Sequence, residues 1–352
     1  MGLDHINQRT DVLSEYELKM VWNDTQCNSA LGGQAFIDHL FNNPHKLLLI
    51  GPACSSTAEN VAEIAHHWNL ITVSPSASSP GLSNRQRYPY FYRTITVFSA
   101  LGTPIIGLMQ EYGWQRIATV HQNQDVYILS IEYFSSLLKA ANFTLVTSET
   151  IIEDPRASVE HIKQNDAKIV FLSMFEGLAR KILCEAYKQG VVGTGYVWFV
   201  YGWYRDKWWT VTDDIECTVE EMTEMISSTN IFALNRLSLS TKEEVTIAGF
   251  TSKQLEFELR ERMKWEENSG YTFQSDYVGF GYDAAWAVGL MLNKSVEVLK
   301  NKVFANGEKR RLEDFTYDDS EIGSLFADLL SETDFVGMSV SGKWPLFADL
   351  LC

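Results

Sequence analysis

The sequence predicts an α/β protein built from two lobes, each with a parallel β-sheet covered by helices. At 352 residues the chain is too long for one ordinary core, because domains usually contain about 100 to 200 residues. Strand-like apolar runs alternate with helical runs along most of the chain, which is typical of parallel sheets. The alternation stops in an irregular stretch at 75–94 and then starts again. This interruption predicts two lobes.

Before the irregular stretch, strand-like and helix-like segments alternate regularly. Short apolar runs rich in β-branched residues favour strands, and apolar residues spaced three or four apart favour helices. The predicted order is a strand at 16–22, a helix at 30–43, a strand at 46–51, a helix at 57–69 and a strand at 70–74. These units predict a doubly wound parallel sheet with helices on both faces.

After the irregular stretch, four further helix and strand pairs follow. They are predicted at 99–113 and 116–122, at 125–142 and 144–152, at 155–167 and 168–174, and at 177–190 and 196–204. A loop-rich interval near 228–250 precedes two more helices, at 252–265 and 282–301. The last helix is apolar over much of its surface, so it is expected to pack against a sheet where the chain recrosses between lobes.

The composition limits the possible partners. The chain carries 29 Lys and Arg against 45 Asp and Glu, a net charge of -16, and it lacks the clustered positive charge that nucleic acid binding requires. No apolar run approaches the roughly 20 residues that span a bilayer. The first residues lack the basic start and apolar core of a signal peptide. No zinc or nucleotide motif is present, and neither a metal nor a cofactor is predicted.

Cysteines and sequons leave the redox compartment open. The five cysteines form two spaced pairs and one at the last residue, which fits reduced thiols and extracellular disulfides equally well. They are Cys27, Cys54, Cys184, Cys217 and Cys352. Three Asn-X-Ser/Thr sequons, which accept glycans in secreted chains, begin at Asn23, Asn142 and Asn293.

The loop "GPACSS" at 51–56 is the first candidate site. It lies between a predicted strand and a predicted helix, so a helix N-terminus lies behind Ser55 and Ser56. This position suits an anion, although helix capping is the commoner role of such a serine. Cys54 is a poor nucleophile candidate because the nearest histidines lie far along the same helix. A structural thiol or a disulfide is the better interpretation.

Two further loops carry candidate binding residues. The stretch 75–94 is rich in serine and arginine and follows a predicted strand. Ligands of open α/β sheets bind beyond the carboxyl ends of the strands, so its serines should converge with Ser55, and converging hydroxyls suit a carboxylate. The segment "FVYGWYRDKWW" at 199–209 is strongly aromatic. Such strands are more often core, but Trp203 follows a glycine, and an indole at a cleft can cover a small ligand.

Several long segments carry a family resemblance. They are "CSSTAENVAEIAHHWNL", "SSPGLSNRQRYPYFYRT", "GWQRIATV", "ARKILCEAYKQG", "YVWFVYGWYRDKWW" and "RLEDFTYDDS". Together they resemble the extracellular Venus-flytrap domain of type B metabotropic GABA receptors, a family of class C G-protein-coupled receptors. The similarity is greatest to the agonist-binding first subunit.

The resemblance implies a bilobed fold like that of type I periplasmic binding proteins. Lobe 1 is expected at 1–95 and 278–343, lobe 2 at 96–277, and a divergent tail at 344–352. Relative to the family, the N-terminal strand of lobe 1 is expected to be missing and the chain to be a fragment. A sheet without its central strand leaves backbone groups unpaired, so low stability is also expected.

The resemblance assigns roles to individual residues. In the family, serines at the positions of Ser55 and Ser78 hold the ligand carboxylate, which leaves helix capping to Ser56. A tryptophan at the position of Trp203 packs on the ligand.

Other positions depart from the family. A tyrosine that reaches the ligand is replaced by Phe175, and a histidine that binds the carboxylate is replaced by Ile95. The acidic residue that meets the ligand amine has Asp276 as its nearest counterpart. The disulfides of the family correspond to Cys27 with Cys54 and Cys184 with Cys217.

The resulting expectation is a ligand-recognition module of a receptor, without catalysis. It is expected to bind GABA or a related amino acid and to signal by closing its cleft. A second receptor subunit, a G protein reached through a membrane domain, and the extracellular side of the plasma membrane are also implied. A partner subunit that binds no agonist and a soluble amino-acid-binding protein are the alternatives. A cysteine-dependent enzyme would need Cys54 as a free thiol.

Overall fold

The computed structural model describes residues 1–42, 45–236, 238–264, 277–304, 307 and 309–339. Over these residues helices alternate with strands, and the strands pair in parallel. The predicted α/β class with two parallel sheets is therefore confirmed. None of the helices formed by these residues combines the length and the apolar character that a bilayer crossing requires.

The elements are numbered in chain order. The helices are α1 (Gly2–Asn7), α2 (Ser29–Phe41), α3 (Ser55–Ala65), α4 (Gly102–Glu111), α5 (Asp125–Ala140), α6 (Arg156–Gln164), α7 (Glu176–Lys188), α8 (Val219–Ser228), α9 (Ser252–Lys264), α10 (Val278–Asn301) and α11 (Ser320–Ser331). The strands are β1 (Leu48–Ile50), β2 (Ile71–Ser74), β3 (Phe91–Arg93), β4 (Arg116–Gln122), β5 (Thr144–Ile151), β6 (Ile169–Ser173), β7 (Val197–Tyr201) and β8 (Asn230–Leu234).

The chain divides into two compact units. One contains Met1–Thr96 and Leu237–Cys352, and the other contains Val97–Arg236. The chain enters the second unit after residue 96, one residue after the predicted boundary. It returns to the first unit after residue 236, well before the predicted boundary at 277/278.

The segment that contains α9 packs in the first unit rather than in the second. Leu255 of α9 is completely buried in the first unit's core. The hydroxyl of Ser252 and the backbone N–H of Ser240 both donate to the carbonyl oxygen of Met338, at 2.9 and 2.8 Å. These contacts are formed with distant parts of the chain, which explains why the sequence pattern did not place the boundary.

In the first unit, the described strands form a parallel sheet in the order β1, β2, β3. Ile71 and Val73 of β2 are fully buried and share one core with Trp286 of α10 and Phe326 of α11. Because the strands are parallel, the loops after β1 and β2 leave the sheet at the same edge. These are the two serine-bearing loops.

In the second unit, the strands of the described residues lie in the order β5, β4, β6, β7, β8, all parallel. Strands β6 and β7 are buried throughout, as their continuous apolar runs predict. Strand β8, a largely exposed edge strand, was predicted as loop although its sequence NIFAL contains a short apolar run. Helix α8 was also missed, although Thr218 and Glu221 form a capping box at its start.

The predicted strand at 16–22 is wrong, since none of these residues, all of which the structure describes, is in a strand. The side chain of Asn7 pairs with the backbone of Leu18 instead, accepting from its N–H at 2.9 Å and donating to its carbonyl at 3.0 Å. Met20 and Trp22 are 57% and 75% exposed. β-propensity alone does not form a strand without a neighbouring strand.

In the first unit, Gly279 of α10 lies close to the backbone of Ser238, whereas Gly281 does not. Alanine substitutions at these two glycines are therefore expected to have opposite effects on stability. A Cβ added to Gly279 would lie 1.6 Å from the carbonyl oxygen of Ser238, whereas one added to Gly281 would meet no atom within 4 Å. We expect Gly279→Ala to lower the free energy of unfolding by about 1 to 3 kcal/mol, as overpacking does. Gly281→Ala should raise it by roughly 0.5 to 1 kcal/mol because alanine favours a helix interior.

Urea unfolding of both variants measures this difference. Equal effects of the two substitutions would contradict the close approach of Gly279 to Ser238.

Candidate ligand-binding site

In the first unit, the two serine-bearing loops meet at the hydroxyl of Ser55. Its oxygen accepts hydrogen bonds from the backbone N–H groups of Ser78 and Ser79, both at 3.1 Å. A hydroxyl oxygen has two lone pairs, so within the described residues its O–H proton is the group left to donate. Ser78 is 4% exposed. The structure thus brings Ser55 and Ser78 together.

Two further serines fasten the same loops. The hydroxyl of Ser74 donates to the carbonyl of Pro52 at 2.7 Å, and the hydroxyl of Ser76 donates to the carbonyl of Ala53 at 2.9 Å. One bond joins the end of β2 to the loop after β1, and the other joins the loop after β2 to that same loop. The position of the Ser55 hydroxyl is therefore set by several hydrogen bonds rather than by one.

Helix α3 begins at Ser55, and Cys54 holds the N-cap position without a capping side-chain hydrogen bond. The assignment of Ser56 as the cap is wrong, because the N-cap is Cys54, two residues earlier, and Ser56 lies in the first turn, exposed to solvent. N–H groups of a first turn have no acceptor within the helix and carry partial positive charge. An anion beside Ser55 is favoured by that charge.

Both implied disulfides are present. Cys27 is bonded to Cys54, with Cα atoms 5.4 Å apart, and Cys184 is bonded to Cys217, with Cα atoms 5.7 Å apart. The first bond anchors the loop before Ser55 and occupies the sulfur that a cysteine nucleophile would need. Cys352 lies outside the described residues.

The arginines of the stretch 75–94 support the serine loop. The guanidinium of Arg93 is buried and donates to the carbonyl of Ser79 at 2.8 Å and to the hydroxyl of Ser83 at 2.5 Å. Arg87 pairs at the surface with Glu63, at 2.7 Å. These contacts hold the loop in the conformation that presents Ser78.

Of two further predicted positions, the structure describes Ile95 but not Asp276. Ile95 is 3% exposed and packs against Phe280 in the first unit, where the hydroxyl of Thr94 also donates to the carbonyl of Phe280 at 2.8 Å. Ile95 therefore forms an apolar contact at the position where the resemblance implied a histidine. Asp276 lies outside the described residues.

In the second unit, an aromatic surface lies at the carboxyl ends of β6 and β7. Phe175 is 46% exposed, and its ring meets Trp203 and Tyr127 edge to face, with centroids 5.6 and 5.5 Å apart. Trp203 stacks on Tyr201 with an interplanar angle of 19°. The structure thus brings Phe175 and Trp203 together as a partly exposed apolar surface.

Sequence reasoning missed Gln122 and the buried Tyr127, which both support this surface. Gln122 is the last residue of β4, and its side-chain oxygen accepts from the backbone N–H of Phe175 at 3.1 Å. The polar run "HQNQ" at 121–124 covers the end of this apolar strand and the two residues after it, and polar residues at a strand end are the same signal that located the serine loops.

The three sequons differ in their surroundings. Asn23 and Asn142 are exposed, as a glycan requires. Asn293 lies in α10, half-buried, and its side-chain oxygen accepts from the backbone N–H of Leu13 at 2.8 Å. The hydroxyl of Ser295, the third residue of that sequon, is fully buried. Glycosylation is therefore better suited to the first two sequons.

A buried histidine directly precedes Gln122 in β4. His121 is 7% exposed, and its Nε2 is 2.9 Å from the hydroxyl of Thr150. Burial lowers the pKa of His121 below its ordinary value, while Glu132 and Glu149 act in the opposite direction. The folded protein therefore releases this proton more readily than the unfolded chain does.

This pKa shift predicts a loss of stability in mild acid. The contribution of neutral His121 is complete above the pKa of the unfolded chain, about 6.5, and is lost as pH falls from there through the folded value. We expect His121→Gln to lose less unfolding free energy between pH 7.5 and 5 than the unmodified protein. Urea unfolding at both pH values measures this, with exposed His67→Gln as control. An unchanged pH dependence in His121→Gln would contradict it.

Comparison with known proteins adds a family to this geometry. A family described as receptor family ligand binding region matches residues 1–343. Mouse gamma-aminobutyric acid type B receptor subunit 1 is 35% identical over 346 residues, which cover 96% of this chain and 34% of the relative. Subunit 1 of Caenorhabditis elegans is 30% identical over 351 residues (99% and 37%), and human subunit 2 is 29% identical over 332 residues (93% and 34%).

The chain spans about a third of the length of these curated relatives. The family match covers both units, from the hydroxyl cluster at Ser55 to the aromatic surface at Trp203. The chain belongs to the family of receptor ligand-binding regions.

Proposed function

We propose that the chain is the extracellular ligand-binding region of a GABA type B receptor subunit, and that it binds a small amino acid without catalysing a reaction. Relatives with that name match 93 to 99% of the chain. The observation that carries the proposal is that the hydroxyl oxygen of Ser55 accepts hydrogen bonds from two backbone N–H groups. This leaves a polarised O–H donor at the N-terminus of α3, which suits a carboxylate.

Each predicted residue has a role in this proposal. The ligand carboxylate accepts hydrogen bonds from the hydroxyls of Ser55 and Ser78, and the partial positive charge of the helix N-terminus stabilises it. Phe175 and Trp203 pack against the hydrocarbon part of the ligand. Asp276 pairs with the ligand amine. Ligand binding then shifts a population towards a closed state of the two units.

Localisation and partners follow from the same proposal. Two disulfides are typical of the oxidising extracellular side, and we place the chain there, on the plasma membrane. The names of the relatives, subunit 1 and subunit 2, support a heterodimeric receptor that signals through a G protein.

A second candidate function is that of a receptor subunit that binds no agonist. The buried Ile95, packed against Phe280, and the aromatic Phe175, which carries no hydroxyl, favour it. Each lost hydrogen bond to a charged ligand weakens binding by about 1.5 to 3 kcal/mol. An affinity too low for signalling is the expected result in that case.

Isothermal calorimetry of the secreted chain with GABA, β-alanine, glycine and glutamate separates the two candidates. Binding of any of these ligands supports the agonist-binding function and identifies the ligand class. Absence of binding at millimolar concentration contradicts it and supports the second candidate. Circular dichroism of the same sample establishes that the chain is folded.

A further inference from the structure

One face of α7 carries four side chains that each contact the segment after Trp203. They lie four residues apart, a spacing that places them on one side of a helix. The contacts are Glu176 with Arg205, Arg180 with Asp214, Cys184 with Cys217, and Lys188 with Glu216. We call these four contacts the α7 ladder.

The first contact of the α7 ladder lies beside the aromatic surface. The carboxylate of Glu176 accepts from the Nε of Arg205 at 2.6 Å and from its backbone N–H at 3.0 Å. Glu176 directly follows Phe175, and Arg205 lies two residues after Trp203. Tyr204 lies between Trp203 and Arg205 in the chain, and its hydroxyl donates to the carbonyl of Met174 at 2.8 Å. One carboxylate thus joins the backbone after Trp203 to the backbone after Phe175.

The second contact continues this connection one turn along the helix. Arg180 is 6% exposed in its side chain and forms a two-point contact with Asp214, at 3.2 and 2.8 Å. Its remaining nitrogen, Nη1, lies 3.4 Å from the carbonyl of Trp208 and 3.5 Å from Glu176. The Glu176 carboxylate is therefore held from two sides.

The charge of Glu176 persists over a wide pH range. Burial opposes ionisation, but the hydrogen bonds from Arg205 prevail and hold the pKa of Glu176 below its ordinary value. The ion pair is thus formed at neutral pH and is lost only as pH falls below about 4.5, the ordinary value.

We propose that Glu176 and Arg205 are a positioning pair that sets the orientation of the Trp203 indole against Phe175, and so the affinity for the ligand. The effect on affinity rests on the proposed function, whereas the effect on the indole does not. Neither residue is assigned a direct ligand contact. Without the pair, the backbone after Trp203 loses an acceptor for its N–H group.

The α7 ladder provides a matched control at its far end. Lys188 and Glu216 form the same kind of ion pair three turns away from Phe175, and Glu216 is 86% exposed. Glu176→Gln and Glu216→Gln make the same chemical change, from carboxylate to amide. Glu176 is 16% exposed, so urea unfolding of both variants is measured as well, to separate a general loss of stability in Glu176→Gln from a local change at Trp203.

The experiment uses protein labelled with 5-fluorotryptophan. The resonance of Trp203 in the fluorine NMR spectrum is identified with Trp203→Phe. In ligand-free protein, Glu176→Gln and Arg205→Met should shift or broaden this resonance, Arg205→Lys should restore it in part, and Glu216→Gln should leave it unchanged. Equal spectra for Glu176→Gln and Glu216→Gln would overturn the proposal.

Calorimetry with the amino acid that binds the unmodified chain tests the second part of the proposal, which is the effect of the pair on ligand affinity. Glu176→Gln should weaken binding about tenfold, or about 1.4 kcal/mol, with Glu216→Gln within about twofold. Equal affinities of the two variants would overturn the link to affinity. A shifted Trp203 resonance in a chain that binds none of the four amino acids would support the positioning role and contradict the proposed function.

Discussion

Replacing Ser55 by alanine is expected to weaken amino-acid binding by about ten- to a hundredfold, the equivalent of one charge-assisted hydrogen bond. The hydroxyl is the proposed donor to the carboxylate, and its oxygen also accepts from Ser78 and Ser79. Its removal therefore takes away a ligand contact and leaves two backbone N–H groups without their acceptor. Both effects act in the same direction on affinity.

Ser56→Ala is the control for this prediction. Ser56 is exposed in the same first turn of α3, and its backbone carbonyl accepts from the hydroxyl of Ser29 at 3.0 Å. Calorimetry should give unchanged affinity for this variant. Equal affinities of Ser55→Ala and Ser56→Ala would show that the hydroxyl cluster is not the carboxylate site.

Replacing Cys184 and Cys217 together by alanine is expected to lower the free energy of unfolding of the second unit by about 4 kcal/mol. The bond closes a loop with a sequence separation of 33 residues. In the chain-entropy account, the disulfide lowers the conformational entropy of the unfolded chain. Without it, the chain loses more entropy on folding. Alanine avoids placing a polar hydroxyl at two buried positions.

Hydrogen exchange followed by mass spectrometry measures the change separately in each unit. Peptides from 97–236 should lose protection, and peptides from the first unit should keep it. The matched variant replaces Cys27 and Cys54, whose separation is 27 residues. It should reduce protection in the first unit, and it should also weaken ligand binding because Cys54 precedes Ser55. Unchanged protection of 97–236 in the first double variant would contradict the prediction.

The parallel sheets were predictable because most of their strands are specified by short sequence patterns. Strand β4 has the predicted bounds, 116–122, since an apolar, β-branched run is ended by polar residues on both sides. Strand β8 has a shorter apolar run, at 231–234, and its place at the sheet edge depends on its pairing with β7. The segment 16–22 has the composition of a strand, but the Leu18 backbone pairs with Asn7 instead.

Half of the candidate site was predictable by the same reasoning. The loops of Ser55 and Ser78 follow neighbouring parallel strands, so their convergence follows from sheet geometry, whereas the choice of Ser78 among the serines of its loop came from the family resemblance. The N-cap of α3 was misassigned by one or two residues, which is the usual uncertainty of helix ends. Gln122 and the Glu176–Arg205 pair were not found, because they join segments that are far apart in the chain.

The sequence by itself determined the α/β class, the two lobes and the serine loops, because periodicity and strand-end chemistry are local properties. The tertiary structure alone decided that α9 packs in the first unit, that the Ser55 oxygen accepts from Ser78 and Ser79, and that α7 holds the segment after Trp203. The physical reason is that these are contacts between distant segments. Which side chains meet there depends on packing and on backbone groups that need partners, and neither is written in local patterns.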